Sequence, residues 1–292
     1  MKYSADMGGA AGGSKDSTPS PQSDKVKKEN EQDSPSQRET AKDGPRGSGG
    51  AEKLTRDELG RVARADDEAG YPEYDVEGRY NRETEALARL RERNPSLAVE
   101  PTPGKEIGGG AEHLVEHAPD PARVMKHTRD GEQNPVVVAD FGYAVDSTYD
   151  LQGTGAYKGT LILRPATPSE YVLRMDAQNE VFGDDLRIEG ITKINGRLGL
   201  AVSQKAIKGV EPSQGEIDFM MEGRGFKKVS AAKISNDHMK GKTWYDAKSR
   251  TLVSDAKPDN FKKNPNGWLQ ALDLIVHRLP EGSDIHDILT GA

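Results

Sequence analysis

The chain has no cysteine. That absence excludes disulfides, thiolate nucleophiles and thiolate-bound zinc together, and it predicts a reducing, cytoplasmic setting. Basic residues are not in surplus either: 41 lysines and arginines face 48 aspartates and glutamates, a formal charge of −7 with pI near 5.5. Nucleic acid is therefore not expected as a partner, because binding it through phosphates requires a basic footprint. No apolar run approaches the roughly 20 residues of a membrane helix, and the opening Met1–Gly9 lacks the apolar segment of a signal peptide. A soluble protein without a membrane partner is expected. Mean hydropathy of −0.80 with 33% hydrophobic residues predicts one modest core and a part of the chain outside it.

What is present changes character along the chain. Residues 1–50 are Gly, Ser, Pro, Gln, Lys and Glu with almost no aliphatic side chains, too little apolar surface to offset the entropy of ordering, so a disordered tail is predicted. Over 51–102 charge is dense, but Leu54, Leu59 and Val62, then Ala86, Leu87 and Leu90, recur at helical spacing. This reads as a charged linker of two surface helices, the second capped by Asn81 and stopped at Asn94-Pro95. Past Pro103 short apolar runs separated by Gly, Asp, Asn and Pro predict antiparallel strands: Leu114-Val115, Arg123–Met125, Val136–Ala139, Thr160–Leu163, Leu186–Ile188 and Leu198–Val202. A helix should open at the capping box Thr167-Pro168-Ser169-Glu170 and run to about Phe182, and a second should span Ser213 to Glu222.

The segment richest in chemistry is Val253-Ser254-Asp255-Ala256-Lys257-Pro258-Asp259-Asn260-Phe261, followed by the apolar run Leu272-Asp273-Leu274-Ile275-Val276. Phosphoryl transfer needs a carboxylate to receive the hydroxyl proton, an amide and a carboxylate for magnesium, and cations to offset phosphate charge. Asp255, Asn260, Asp273 and Lys257 supply that set, and the five-residue interval from Asp255 to Asn260 is that of a kinase catalytic loop. A charge such as Asp273 inside an apolar strand is expensive unless a cation meets it.

These motifs, together with Gly108-Gly109-Gly110-Ala111-Glu112-His113, Arg123-Val124-Met125-Lys126, Pro168–Val172, Asn179–Asp185 and Ser203-Gln204, follow one another in the order of a kinase. Over Ile107 to about Val276 the chain resembles the kinase superfamily, and more closely the serine/threonine/tyrosine kinase-like domain in polyvalent proteins of phages and conjugative elements. The resemblance implies an α+β, bilobal protein-kinase-like fold, with an N-lobe sheet over 103–206, a reduced C-lobe over 207–280 and a tail over 281–292. It implies ATP and Mg2+ as cofactors and a serine/threonine-type transfer to a hydroxyl on a protein or small molecule. Gly108, Gly109 and Gly110 would cover the phosphates, and Lys126 would grip the α- and β-phosphates. Its partner would be Glu170, ahead of Asp176 and Glu180, and Ser203 to Ala206, with Gln204, would form the adenine hinge. Asp255 and Lys257 would be catalytic, Asn260 and Asp273 metal ligands.

Departures from the kinase pattern are visible as well. Val253-Ser254 stands where His-Arg would precede the aspartate, Leu274-Ile275 follows Asp273 in place of Phe-Gly, and only 19 residues follow Asp273 in a chain of 292. A mobile activation switch and a helical peptide-docking platform are therefore not expected. A nucleotide-binding module without catalysis is the alternative reading. The third is a zinc metallopeptidase, because His113-Leu114-Val115-Glu116-His117 spells H-x-x-E-H, although that chemistry needs a helix and three glycines argue for a strand. Asp140-Phe141-Gly142 precedes the catalytic loop and reads as a strand end, Gly153–Thr160 reads as a hairpin insert, and His127, His238, His277 and His286 read as surface residues.

Overall fold

The computed structural model describes residues 49–72, 75–130, 138–151 and 157–291. The predicted tail therefore lies outside the described residues, except that Gly49 and Gly50 already belong to the first helix; Val136-Val137 and Gly153–Ala156 also lie outside. Helix α1 spans Gly49–Ala69 and α2 spans Val76–Arg93. The N-cap of α2 is Asp75, not Asn81: the Asp75 carboxylate accepts the Gly78 N–H at 3.0 Å and pairs with Arg82, while Asn81 lies inside the helix. At its other end Asn94 caps the chain before Pro95, as the sequence predicts.

A meander of β1 (Glu106–Gly109), β2 (His113–His117) and β3 (Arg123–Asp130) follows, then the short β4 (Val138–Ala139) and a hairpin of β5 (Tyr143–Leu151) with β6 (Tyr157–Pro165). Helix α3 occupies Pro168–Phe182; its Thr167–Glu170 capping box is formed, and Gly183, in the left-handed region, closes its end. Strands β7 (Arg187–Ile194) and β8 (Arg197–Lys205) complete an antiparallel sheet of order β1-β2-β3-β8-β7, with β4 on β3. Helix α4 (Gln214–Gly223) opens at a second capping box, Ser213 with Glu216. Then come β9 (Lys227–Lys228), β10 (Trp244–Asp246), β11 (Thr251–Ser254), the hairpin of β12 (Phe261–Lys263) and β13 (Leu269–Ala271), and β14 (Ile275–Arg278), with sheet order β14-β11-β10-β9. The last element is α5, Asp284–Thr290. The fold is thus mixed α and β with antiparallel sheets, an α+β arrangement, and among the described residues no helix is long and apolar enough to cross a membrane.

Two expectations are corrected by packing. Segment 51–102 is not a linker: Leu59, Leu87 and Leu90 are buried in one apolar cluster with Tyr171, Val172 and Met175 of α3 and Ile188, Ile191 and Leu200 of the sheet. Segment 281–292 is not a bare tail, since Ile285, Ile288 and Leu289 of α5 pack on a cluster containing Val145, Leu161, Tyr245 and Leu252. Both segments look hydrophilic because each carries a narrow apolar stripe on a charged helix, enough to dock but too little to raise hydropathy. A further cluster joins Ala177 of α3 to Ile217, Met221, Trp244, Val253, Phe261 and Val276, so α3 is shared between two cores.

Candidate active site

A cleft of about 650 Å³ opens between the β1–β2 hairpin and the loop after β11. Gly108, Gly109, Gly110, Lys126, Gln204, Asp255, Lys257, Asn260 and Asp273, residues drawn from sites 165 positions apart in sequence, all border it. Within the hairpin Gly109 is required by close approach, for a Cβ there would lie 2.5 Å from the His113 carbonyl oxygen. At Gly108 and Gly110 a Cβ would meet no atom of the described residues within 4 Å beyond its own chain neighbours. Packing within the protein does not demand those two glycines.

The loop after β11 is a tight, self-bonded turn. Asp255 takes a left-handed backbone, φ of 59°, which costs a non-glycine residue some strain, and its carbonyl accepts the Lys257 N–H at 2.9 Å. Asn260 donates through Nδ2 to the Asp255 carboxylate at 2.7 Å and to its carbonyl at 2.8 Å. Lys257 Nζ stands 3.3 Å from the same carboxylate. Burial pushes the Asp255 carboxyl above its ordinary value, opposed by Lys257 and Asn260. The amide donor of Asn260 is thus spent on Asp255, while among the described residues its amide oxygen has no partner.

Asp273 is where the two sides of the cleft meet. Its Oδ2 takes His113 Nδ1 at 2.8 Å, its Oδ1 takes Arg174 of α3 at 3.0 Å, and its side chain keeps 29% exposure toward the cleft. Burial alone would push this carboxyl up; His113, Lys126 and Arg174 outweigh burial and hold it far below the carboxylate range. Asp273 lies in the bend between β13 and β14 and not inside a strand as the sequence suggests, and its charge is met by His113 first, then by Lys126 and Arg174. The Arg174 guanidinium also forks onto Glu112 at 2.6 and 2.7 Å and donates Nε to the Leu274 carbonyl at 2.8 Å. His113 Nε2 meets the Tyr171 hydroxyl at 2.8 Å, and burial raises that phenol well above its usual value. Gly142, with φ of 68°, admits this network: a Cβ there would lie 2.6 Å from Glu112 Oε1.

Lys126 does not pair with a helix carboxylate. Its Nζ donates to the Leu272 carbonyl at 2.6 Å, next to Asp273. The three carboxylates considered for it are all engaged elsewhere: Glu170 by Arg164 at 2.6 and 2.8 Å, Asp176 by Arg56, and Glu180 by Arg278. Glu170 fills its capping role, accepting the Thr167 N–H at 2.8 Å. Instead, the half-buried Asp184 shares Lys126's field; burial raises its pKa against bonds from Gln178 and Gln204. The hinge reading is also corrected. Gln204 is buried and uses its amide as an internal strut, and the Ala206 N–H is already bonded to the Ala122 carbonyl at 2.7 Å, so that amide cannot read a base.

Arg174, Glu112, Tyr171 and Asp184 are the site residues that sequence reasoning missed as such. A signal existed for Arg174: it is a lone charge between Tyr171, Val172, Met175 and Ala177, on the apolar side of its helix. Glu112, His113 and Asp273 bring ligand atoms within 4.8 Å of one another. Glu112 takes three donors, two from Arg174 and the Tyr143 N–H, whereas Asp273 takes one on each oxygen and, among the described residues, the Asn260 amide oxygen takes none. Amide and carboxylate oxygens are the hard donors that magnesium takes.

The decoy motifs resolve structurally. His113–His117 is strand β2, which separates its two histidines by about 13 Å at roughly 3.3 Å per residue. His113 is buried and His117 exposed, so the helical zinc site of a metallopeptidase is not formed. Asp140 accepts from Tyr80 at 2.9 Å and from Arg197 at 3.1 Å, and Phe141 is fully buried. The surface reading holds for His238 but fails for His127, which is fully buried between Thr192 and Glu116, and for His277, whose Nε2 accepts the Val145 N–H at 3.2 Å.

Those two histidines carry a pH prediction. Burial, then Arg174, lowers His277 from 6.5 to about 4, and burial lowers His127. His277 stays neutral in the folded protein where the unfolded chain would bind a proton, so the stability it contributes is full above 6.5 and is lost as pH falls from 6.5 toward 4, and the lowered His127 acts in the same direction. His277 alone accounts for up to about 3 kcal/mol of that loss. Thermal unfolding followed by circular dichroism should show the midpoint falling over this interval, and His277→Gln should flatten the slope. No family model, curated protein or solved structure matches the chain.

Proposed function

We propose that this protein is an ATP- and magnesium-dependent phosphotransferase with a compact, kinase-like bilobal arrangement, the β1–β2 to β8 sheet forming one wall of the site and the β9–β14 region the other. The observation that carries the reading is the convergence of Gly108, Gly110, Lys126, Asp255, Asn260 and Asp273 on one cleft. Gly108 and Gly110, where a Cβ would meet open space, leave room for phosphate oxygens to lie against the hairpin backbone, and the Gly110 N–H, bonded to the His113 carbonyl at 3.1 Å, is not among the donors available to them. In the reaction an acceptor hydroxyl oxygen bonds to the γ-phosphorus, the bond to the β,γ-bridging oxygen breaks, ADP departs, and Asp255 receives the hydroxyl proton. A base raised by burial suits that task. Lys257, held 3.3 Å from Asp255, offsets charge on the transferred group, and Lys126 meets the inner phosphates after leaving the Leu272 carbonyl. Asn260 and Asp273 would hold magnesium, which when bound would supply positive charge against the phosphates. The setting expected for such an enzyme without cysteine is the cytoplasm, and its acceptor is a hydroxyl on a protein or small molecule.

The non-catalytic reading has one observation in its favour: both Asp273 oxygens already hold donors, Arg174 and His113, so a resident guanidinium stands where a metal charge would act. Incubation with γ-labelled ATP and magnesium separates the two. A catalyst self-labels or turns over ATP, and Asp255→Ala removes labelling while nucleotide binding persists. Binding without turnover supports the module, and no binding in the wild type removes both.

A further inference from the structure

Helix α3 has two working faces. At 3.6 residues per turn, Ser169 and Asp176 fall two turns apart on one side, and Tyr171, Arg174 and Gln178 form a stripe roughly opposite. The stripe builds the site: Tyr171 meets His113, Arg174 meets Glu112, Asp273 and the Leu274 carbonyl, and Gln178 Oε1 takes the Leu274 N–H at 3.1 Å. The opposite side is held by the two N-terminal helices. Glu83 of α2, 1% exposed, accepts the Ser169 N–H at 2.9 Å and its hydroxyl at 2.6 Å. Arg56 of α1 forks onto Asp176 with two bonds of 2.7 Å.

The Glu83 contact is a helix cap supplied by another helix. First-turn N–H groups lack partners within α3 and carry the positive end of its dipole, so a carboxylate there is bound strongly and directionally. A buried carboxylate is costly without such a partner: burial raises the Glu83 carboxyl above its usual value, and the Ser169 hydroxyl and N–H, with Arg79 acting through its charge, oppose that rise. The two contacts, two turns apart, fix both the rotation of α3 and its sliding position.

We infer that α1–α2 is a built-in clamp on the site, with Glu83 and Arg56 as positioning residues that act through α3 on Arg174 and thereby on Asp273. The inference rests on the phosphotransfer reading for its catalytic consequence and not for its structural one. Turning α3 by a fraction of a residue would swing Arg174 off both carboxylates and shift Asp273, and misplacement near 1 Å costs about 100-fold in rate.

The test uses the full chain with Glu83→Ala, Glu83→Gln and Arg56→Ala. The readouts are ATP turnover, resolved into kcat and KM, and the Arg174 Nε–H signal by NMR, which reports the guanidinium whether or not the protein is an enzyme. Glu83→Ala should lower kcat roughly 10- to 100-fold, more than it raises KM, and should broaden or shift that signal. Glu83→Gln, which keeps one acceptor oxygen, should recover part of both, and Arg56→Ala should move both in the same direction by less. Val229→Ala, destabilised in a separate core, should leave the signal in place. A folded Glu83→Ala protein with wild-type kcat and an unchanged Arg174 signal overturns the clamp. If Glu83→Ala does not fold, Arg56→Ala decides by the same two measurements. A wild type that never binds ATP sinks the enzymatic reading alone, and the Arg174 signal still rules on the clamp.

Discussion

Asp273→Asn is expected to abolish magnesium-dependent ATP binding and to lower any phosphoryl transfer by roughly 100- to 1000-fold, the scale on which a preorganised charge at a reacting phosphate is worth. The substitution keeps the shape and one acceptor oxygen, so the Arg174 or His113 bond can persist while the negative charge is gone. Two opposing consequences follow. A metal loses its anionic ligand, and the cluster of His113, Lys126 and Arg174 around the position gains uncompensated positive charge. That second effect should raise affinity for an ATP molecule lacking magnesium. Titration calorimetry with ATP alone and with Mg-ATP tells them apart: weaker Mg-ATP binding with unchanged or tighter free-ATP binding fits a metal-bearing aspartate. Equal loss of both would assign Asp273 to holding the cleft together, and unaltered Mg-ATP binding would remove it from the proposed metal site. Unfolding midpoints must be measured beside the titration, because Asp273 is also a strut between α3 and β2.

The parts of this architecture legible in the sequence are those governed by local chemistry. Thr167-Pro168-Ser169-Glu170 and Ser213 to Glu216 announce helix starts because a cap uses only neighbouring residues, and both capping boxes are formed. Alternating runs around Val124 and Leu200 gave strands at the right places, and the Asp255–Asn260 interval gave a loop that closes on itself. What escaped was set by partners distant in the chain. Whether Glu170 faces Lys126 or Arg164 depends on how β6 enters α3, which no spacing encodes, and the capping role that the sequence did encode is the one realised. The buried state of His127 depends on Glu116 and Thr192 from two neighbouring strands. Arg174 was hidden because helix periodicity treats a lone arginine as a surface residue, although its helix has two cores and no free apolar side at that position.

Arg174→Met should destabilise the fold by about 3–5 kcal/mol, the cost of removing one partner from a buried ion pair, and this is the largest single-residue effect on stability expected in the chain. Glu112 would lose both of its charged hydrogen bonds, Asp273 one of its two, and the Leu274 carbonyl its side-chain donor. Methionine fills the stem volume, so the loss is electrostatic more than steric, and rescue should follow charge. Glu112→Gln added to Arg174→Met removes the stranded carboxylate and should recover a good part of the loss, a coupling that chemical denaturation of the four-member cycle measures. Lysine at 174 should recover less than its charge suggests, since one ammonium cannot fork onto Glu112 and still reach Asp273 and the Leu274 carbonyl. Additive losses in the cycle would mean that Arg174 and Glu112 act independently, and the view of α3 as the element that suspends Asp273 in the cleft would fall with that result.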